Sequence, residues 1–432
     1  MPAETTGPSL SADLEFRGLV HQLTDPSLPG RLDRERFTVY IGFDPTADSL
    51  HVGSLLQVLM LRRLQQAGHR PIALAGGGTG AIGDPGGKTE ERALLGPEEL
   101  AANLAGMQAQ LERLIDFGPS AGTTRATVLD NGEWLHQLHV IEFLRDVGKH
   151  FSVNQMMGRD TVKARLERPD QGISFTEFSY MLLQAYDFLH LFDHEDCRLQ
   201  IGASDQWGNI TMGIELIRKA RRQEVYGLTT PLVVKADGTK FGKTETETVW
   251  LDAAKTSPYQ LYQFFYRTED SAVGGYLRYF TFLDHHAIRA LDLETAEHPQ
   301  HRAAPRALAR EVCSLVHGRV EAARAEAAAL ALYAGELSTL DEPSLLEVSA
   351  EIPTSTLARA ALDAGLSLVD VLVGTGLAKS KSQARTLVSQ GGVYVNDRRE
   401  KDTEARFGRS DLVFDHYLVL RKGRDYHLVS FE

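Results

Sequence analysis

The chain has 432 residues, 43% of them hydrophobic, and a net charge of −12 at pH 7. That length supports two or three domains with proper cores, and the acidic balance argues against nonspecific coating of nucleic acid while leaving a local basic surface open. Cys197 and Cys313 stand far apart with no CxxC or Cys/His spacing, and no leader or membrane-length apolar run is visible, so a reducing cytoplasm without a metal site fits best.

Strand-like runs occur at 37–43, 71–75, 127–130, 198–202 and 231–235. Helical periodicity separates them at 52–67, 97–115, 134–147, 175–188 and 210–221. Strands alternating with helices predict an α/β fold with a doubly wound, Rossmann-like parallel sheet over residues 1–235. Polar-rich loops follow each predicted strand, at the carboxyl ends where such sheets place ligands. The strand signal then stops. Residues 255–337 read as an α-helical domain, with helices at 258–267 and 306–332, and 338–363 read as a connector holding short helical pieces. Residues 364–432 read as a small α+β domain with two short helices, the second near Lys381–Ser389. A strand at Val393–Asn396 and a hairpin of 412–421 with 426–431 complete it. From residue 366 onward the chain carries 11 basic and 9 acidic side chains, so its sign differs from the acidic remainder.

The segment Tyr40-Ile41-Gly42-Phe43-Asp44-Pro45-Thr46-Ala47-Asp48-Ser49-Leu50-His51-Val52-Gly53-Ser54 joins the first strand to the first long helix. A helix N-terminus there offers free N–H groups to an anion, and Gly53 leaves room for a nucleotide at the backbone. The same residues also describe an ordinary βα connection capped by Ser49. The run Gly76 to Lys88 is dense in glycine and holds Asp84 and Lys88, one charge of each sign, without P-loop spacing. Tyr180, Gln184 and Asp187 share a helix face, either as a core polar network or as a pocket wall. Asp205 sits on another strand–helix junction, where it would serve a ribose or act as an N-cap. In Lys240-Phe241-Gly242-Lys243-Thr244, two lysines flank a Phe-Gly pair within 236–254, read as a mobile loop whose cations suit phosphoryl chemistry.

Together these segments resemble the bacterial tyrosyl-tRNA synthetases of class I over nearly the whole chain. His51-Val52-Gly53-Ser54 resembles the HIGH signature, and Lys240 to Thr244 resembles the KMSKS signature. Gln171 to Tyr180 and Gly202 to Ile210 are further long matches, and Lys379 to Arg385 with Val393 to Asn396 resembles an S4-type RNA-binding domain. The resemblance implies tyrosine, ATP with Mg2+, and tRNA(Tyr) as partners, with tyrosyl-adenylate formed before transfer. It implies that Thr46, His51, Lys88, Lys240, Lys243 and Thr244 serve the reacting phosphates. Tyr40, Asp84, Tyr180, Gln184, Asp187 and Gln206 would hold tyrosine, and Gly42, Gly53, Ser54, Ala203 and Asp205 the nucleotide. Lys379, Lys381 and Arg385 would meet RNA. The resemblance also implies a homodimer, with 134–157 as the expected interface. Ser54 replaces the second histidine of the signature, and Ala203 replaces a glycine. A tryptophan-specific synthetase and a non-catalytic RNA-binding relative are the two alternatives; the pairing of Tyr40 with Asp187 favours a phenol over an indole.

Overall fold

The computed structural model describes residues 7–83, 96–159, 162–163, 166, 172–234, 241–242 and 248–432. Asp84, Lys88, Lys240, Lys243 and Thr244 lie outside the described residues. The chain separates into two compact units: residues 1–255 with 268–308, and residues 256–267 with 309–432.

The first unit is built on a six-stranded sheet: β1 (Gln22–Leu23), β2 (Thr38–Phe43), β3 (Arg70–Ala75), β4 (Thr127–Asp130), β5 (Cys197–Ala203) and β6 (Tyr226–Thr230). Their spatial order is β1-β6-β5-β2-β3-β4, parallel throughout except for the short edge strand β1. Val39, Tyr40 and Ile41 of the central β2 are all buried, as expected of a strand covered on both faces. From β2 the chain proceeds outward to β3 and β4, then returns to lay β5 and β6 on the other side. The strand order therefore reverses between β2 and β5. Diverging loops open a crevice at such a switch point.

Four of the five predicted strands occur where expected, but the fifth does not. β6 is Tyr226–Thr230, and residue 231 ends it because proline has no N–H to give the ladder. The helix predicted over 134–147 is two pieces, Gly132–Leu135 and Val140–Asp146, because His139 adopts ψ 130° between them. The helix Phe175–Glu195 begins at Ser174, whose hydroxyl accepts from the Glu177 N–H, and runs beyond the predicted end to an αL residue, Asp196. Two helices absent from the sequence reading, Asp270–Phe280 and His285–Glu297, pack with the sheet unit. They are tied there by buried charge. The Arg17 guanidinium donates to the carbonyls of Arg278, Thr281 and Leu283, and Asp13 accepts from Arg17 and Arg63. Burial and the neighbouring Arg17 push Arg63 down to about 9.

The helical run predicted over 306–332 is interrupted by Gly318 at φ +91°, giving Ala303–His317 and Arg319–Ala334, the latter wholly in the second unit. The tail sheet runs, in spatial order, Arg398–Glu400, Val393–Val395, Tyr417–Lys422, Asp425–Phe431 and Thr354–Leu357. Its hairpin turns at Gly423-Arg424, with Lys422 paired to Asp425 and Gly423 at φ +62°. The first hairpin strand starts at Tyr417 rather than residue 412. Thr354–Leu357 lies parallel to the C-terminal strand, so part of the sequence-drawn connector belongs to the tail sheet.

Candidate active site

The crevice at the β2–β5 switch point has a volume of about 340 Å³. Tyr40, Gly42, Thr46, His51, Gly53 and Ser54 line it from β2 and the junction after it. Tyr180, Gln184, Asp187, Ala203, Asp205 and Gln206 line it from the long helix and the β5 loop. Every described residue predicted for tyrosine or ATP is therefore in one cleft. Lys379, Lys381 and Arg385 lie in the other unit, exposed at and beside the helix Lys381–Ser389, with Lys381 paired to Asp370 at 2.6 Å.

The floor of the cleft is polar and buried. Asp187 is 2% exposed; one carboxylate oxygen accepts from Asn131 Nδ2 at 2.9 Å, the other from Trp134 Nε1 at 2.8 Å. Burial raises its pKa to about 7 against those two hydrogen bonds, with Asp44 and Asp130 adding repulsion. Beside it, burial and the Asp187 charge push the Tyr40 phenol well above its ordinary value, so it stays neutral. The Tyr40 hydroxyl, Gln184 Oε1, Gln200 Oε1 and Gln57 Oε1 are buried with no hydrogen-bond partner among the described residues. Each such atom costs about 1–3 kcal/mol unless a partner arrives. All four residues line the cleft, which suits a polar ligand. Tyr180 donates to Asp44 at 3.3 Å, and Gln184 Nε2 to Gln206 Oε1 at 3.2 Å.

Asn131 and Trp134 were missed in sequence. Asn131 Oδ1 accepts from the Gly78 and Thr79 N–H groups, while its amide donates to Thr79 Oγ1 and to Asp187. It thereby ties the turn after β3 to the Asp187 helix. The only available signal was its place directly after β4. Trp134 stacks on His190 at 4.1 Å between ring centroids, 14° from parallel.

The helix Val52–Gln66 is preceded by His51 as its N-cap, not by Ser49, whose hydroxyl donates to Leu50 O and accepts from Gln110. Its first turn is less open to an anion than expected. The Val52 N–H donates to Val249 O and the Ser54 N–H to His51 O. Gly53 also makes room for a neighbour within the turn itself. A Cβ there would lie 2.8 Å from His51 Cε1 and Nδ1, so glycine lets the imidazole fold over the turn into the cleft. His51 also bridges to Trp250, which follows the two-lysine motif. Gly202 accommodates Gln206 in the same way, its added Cβ falling 2.8 Å from Gln206 Cβ. Asp205 is exposed in the turn before the helix Trp207–Arg221, whose N-cap is Gln206.

A parallel sheet with its cleft at the switch point, an N-terminal helix turn bearing histidine, and a lysine-rich segment after the last strand is the class I synthetase fold. Residues 32–334 match tRNA synthetases class I (W and Y), and 345–429 match the tyrosine–tRNA ligase SYY-like C-terminal domain. The chain is 52% identical to a tyrosine–tRNA ligase of Roseiflexus castenholzii over 96% of its length and 98% of the relative's. It is 49% identical to that of Geobacillus stearothermophilus, covering 98% and 99%. Among solved structures, a C-terminally truncated mitochondrial tyrosyl-tRNA synthetase of Aspergillus nidulans matches with TM-score 0.67 and 36% identity, over 76% of this chain and 95% of that one. The chain belongs to the tyrosyl-tRNA synthetase family.

Proposed function

We propose that the chain activates L-tyrosine with Mg-ATP to tyrosyl-adenylate and pyrophosphate, then transfers the tyrosyl group to the 3′-terminal adenosine of tRNA(Tyr). The observation that carries this reading is the buried pair at the cleft floor, Tyr40 and Asp187, within a chain about half identical to tyrosine–tRNA ligases over nearly its full length.

In the first step a tyrosine carboxylate oxygen bonds to the α-phosphorus while the bond to pyrophosphate breaks. The bond's electron pair leaves on pyrophosphate. An α-carboxylate with a pKa of about 3.5 is already ionised, so no general base is required. Positioning and charge stabilisation do the catalysis. The phenol hydroxyl donates to ionised Asp187 and accepts from Tyr40; Asp84, Tyr180, Gln184 and Gln206 hold the ammonium end. Thr46 and His51 meet the phosphates from the helix side, and Lys88, Lys240, Lys243 and Thr244 from their loops. Gly42, Gly53, Ser54 and Ala203 line the nucleotide, and Asp205 takes its ribose. In the second step the terminal ribose hydroxyl attacks the tyrosyl carbonyl and AMP leaves. Lys379, Lys381 and Arg385 contact the RNA.

Tyrosine-dependent exchange of pyrophosphate into ATP tests the reading. Exchange with tyrosine and little with tryptophan or phenylalanine is expected; equal exchange with tryptophan, or none with tyrosine, refutes it. No helix among the described residues is long and apolar enough to cross a membrane, and a cytoplasmic setting is part of this proposal. A homodimer is also proposed. Val140, Ile141, Leu144, Val153, Met157 and Phe175 are large apolar residues left exposed in one stretch of chain, Phe175 at 78%. Sedimentation showing only monomer at assay concentrations would exclude it.

A further inference from the structure

Phe241 lies between two lysines in sequence, yet it is only 7% exposed. Its ring stacks on Phe280 at 5.1 Å, 15° from parallel, and meets Tyr276 edge-on at 4.9 Å. Tyr276 and Phe280 stand four residues apart on the helix Asp270–Phe280 and so share one face. The Tyr276 hydroxyl reaches past the ring contact and donates to the Val234 carbonyl at 3.1 Å. One side chain thus holds the chain at two points, one before Lys240 and one beside it.

The opposite side of Phe241-Gly242 rests on the His51 turn. A Cβ on Gly242, which sits at φ +88°, would fall 2.9 Å from Val52 Cγ2 and 3.1 Å from the Gly53 nitrogen. Gly242 O accepts from the Val249 N–H, and Val249 O accepts in turn from the Val52 N–H. The Phe-Gly pair is therefore wedged between the helix Asp270–Phe280 and the first turn of the helix that carries His51.

We propose that Tyr276 is a positioning residue for adenylate formation, setting Phe241 and Gly242, the pair that Lys240 and Lys243 flank in sequence. The inference rests on the reading that those lysines meet the reacting phosphates. Cations stabilise developing phosphate charge only when placed to about an ångström, and a misplacement of that size costs up to about 100-fold in rate.

The test uses the full chain with Tyr276→Phe, which keeps the ring and removes the hydroxyl, and Tyr276→Leu, which removes both contacts. Lys240→Ala and Lys243→Ala are run beside them. Pyrophosphate exchange is measured against ATP and tyrosine separately, with tyrosine affinity by equilibrium dialysis and melting temperature as controls. Expected are a fall in kcat or a rise in KM for ATP of about 10-fold or more in Tyr276→Leu, a smaller change in Tyr276→Phe, and tyrosine affinity within about twofold of the parent. The proposal is overturned if kcat and KM for ATP stay within twofold in Tyr276→Leu, or if tyrosine affinity and melting temperature fall in step with kcat. Inert lysine variants would overturn the underlying reading and this inference with it. Impaired lysine variants beside an unimpaired Tyr276→Leu would overturn the inference alone.

Discussion

Replacing Trp134 with phenylalanine separates one hydrogen bond at the cleft floor from everything around it. A smaller phenyl ring remains to stack on His190, but the N–H donated to Asp187 at 2.8 Å is lost. A hydrogen bond to a charged group is worth about 1.5–3 kcal/mol, and 1.36 kcal/mol corresponds to one pKa unit, so the Asp187 pKa should rise by about one to two units from about 7. Near neutral pH the variant carboxyl is therefore protonated to a larger extent than the parent's. A protonated carboxyl carries an O–H and accepts more weakly than the carboxylate, so it holds the phenol hydroxyl less well. KM for tyrosine in pyrophosphate exchange is therefore expected to rise about 10-fold at pH 7.5 and to recover above pH 9, with KM for ATP unchanged. An acid limb of tyrosine KM that keeps its parental midpoint would refute the reasoning. The same raised pKa has a stability consequence. Between about pH 4 and pH 7 the folded chain holds a proton on Asp187 that the unfolded chain has released, so this group's contribution to stability falls as pH rises through that window.

Tyr40→Phe removes a buried hydroxyl that has no partner among the described residues; the melting temperature without ligand should hold or rise, while discrimination between tyrosine and phenylalanine should drop by about 5- to 100-fold. Unchanged discrimination would remove Tyr40 from the pocket. Gly53→Ala should raise KM for ATP by displacing the His51 ring from its turn without lowering the melting temperature, since alanine favours a helix by about 1 kcal/mol; an unaltered KM for ATP would mean the ring position is irrelevant. His190, whose pKa is lowered to about 4 by burial and by His194, is neutral at assay pH and acts on Trp134 as a flat ring. His190→Ala should raise KM for tyrosine about 2- to 10-fold and His190→Phe should restore it, as aromatic pairs are worth about 0.5–1.5 kcal/mol; equal loss in both variants would point to another role. Truncation after residue 349 removes the whole tail sheet including Thr354–Leu357 and should spare pyrophosphate exchange while impairing tRNA charging. Equal loss of both activities would refute that division of labour.

The sequence by itself was sufficient for the alternating strands and helices, because runs such as Val39–Ile41 are apolar enough to be buried on both faces whatever lies beside them. It also sufficed for the cleft residues at β-strand ends, which carry polar and glycine-rich signals in short contiguous stretches. It missed the true last strand, Tyr226–Thr230, since the run after Pro231 is the more apolar, while the proline without an N–H ends the ladder before it. That Gly53 also makes room for the His51 ring was beyond it for a related reason: the Cβ clash exists only once the turn has folded. The placement of 268–308 beside the sheet depends on Arg17 and Arg63 reaching carbonyls more than two hundred residues away. The switch point between β2 and β5, Asn131 and Trp134 on Asp187, and the Tyr276 contact with Phe241 likewise join residues far apart in the chain. Local patterning encodes which segments are strands, helices and loops; only the packed sheet decides which loops meet, which carboxylate loses its water, and which aromatic ring braces another.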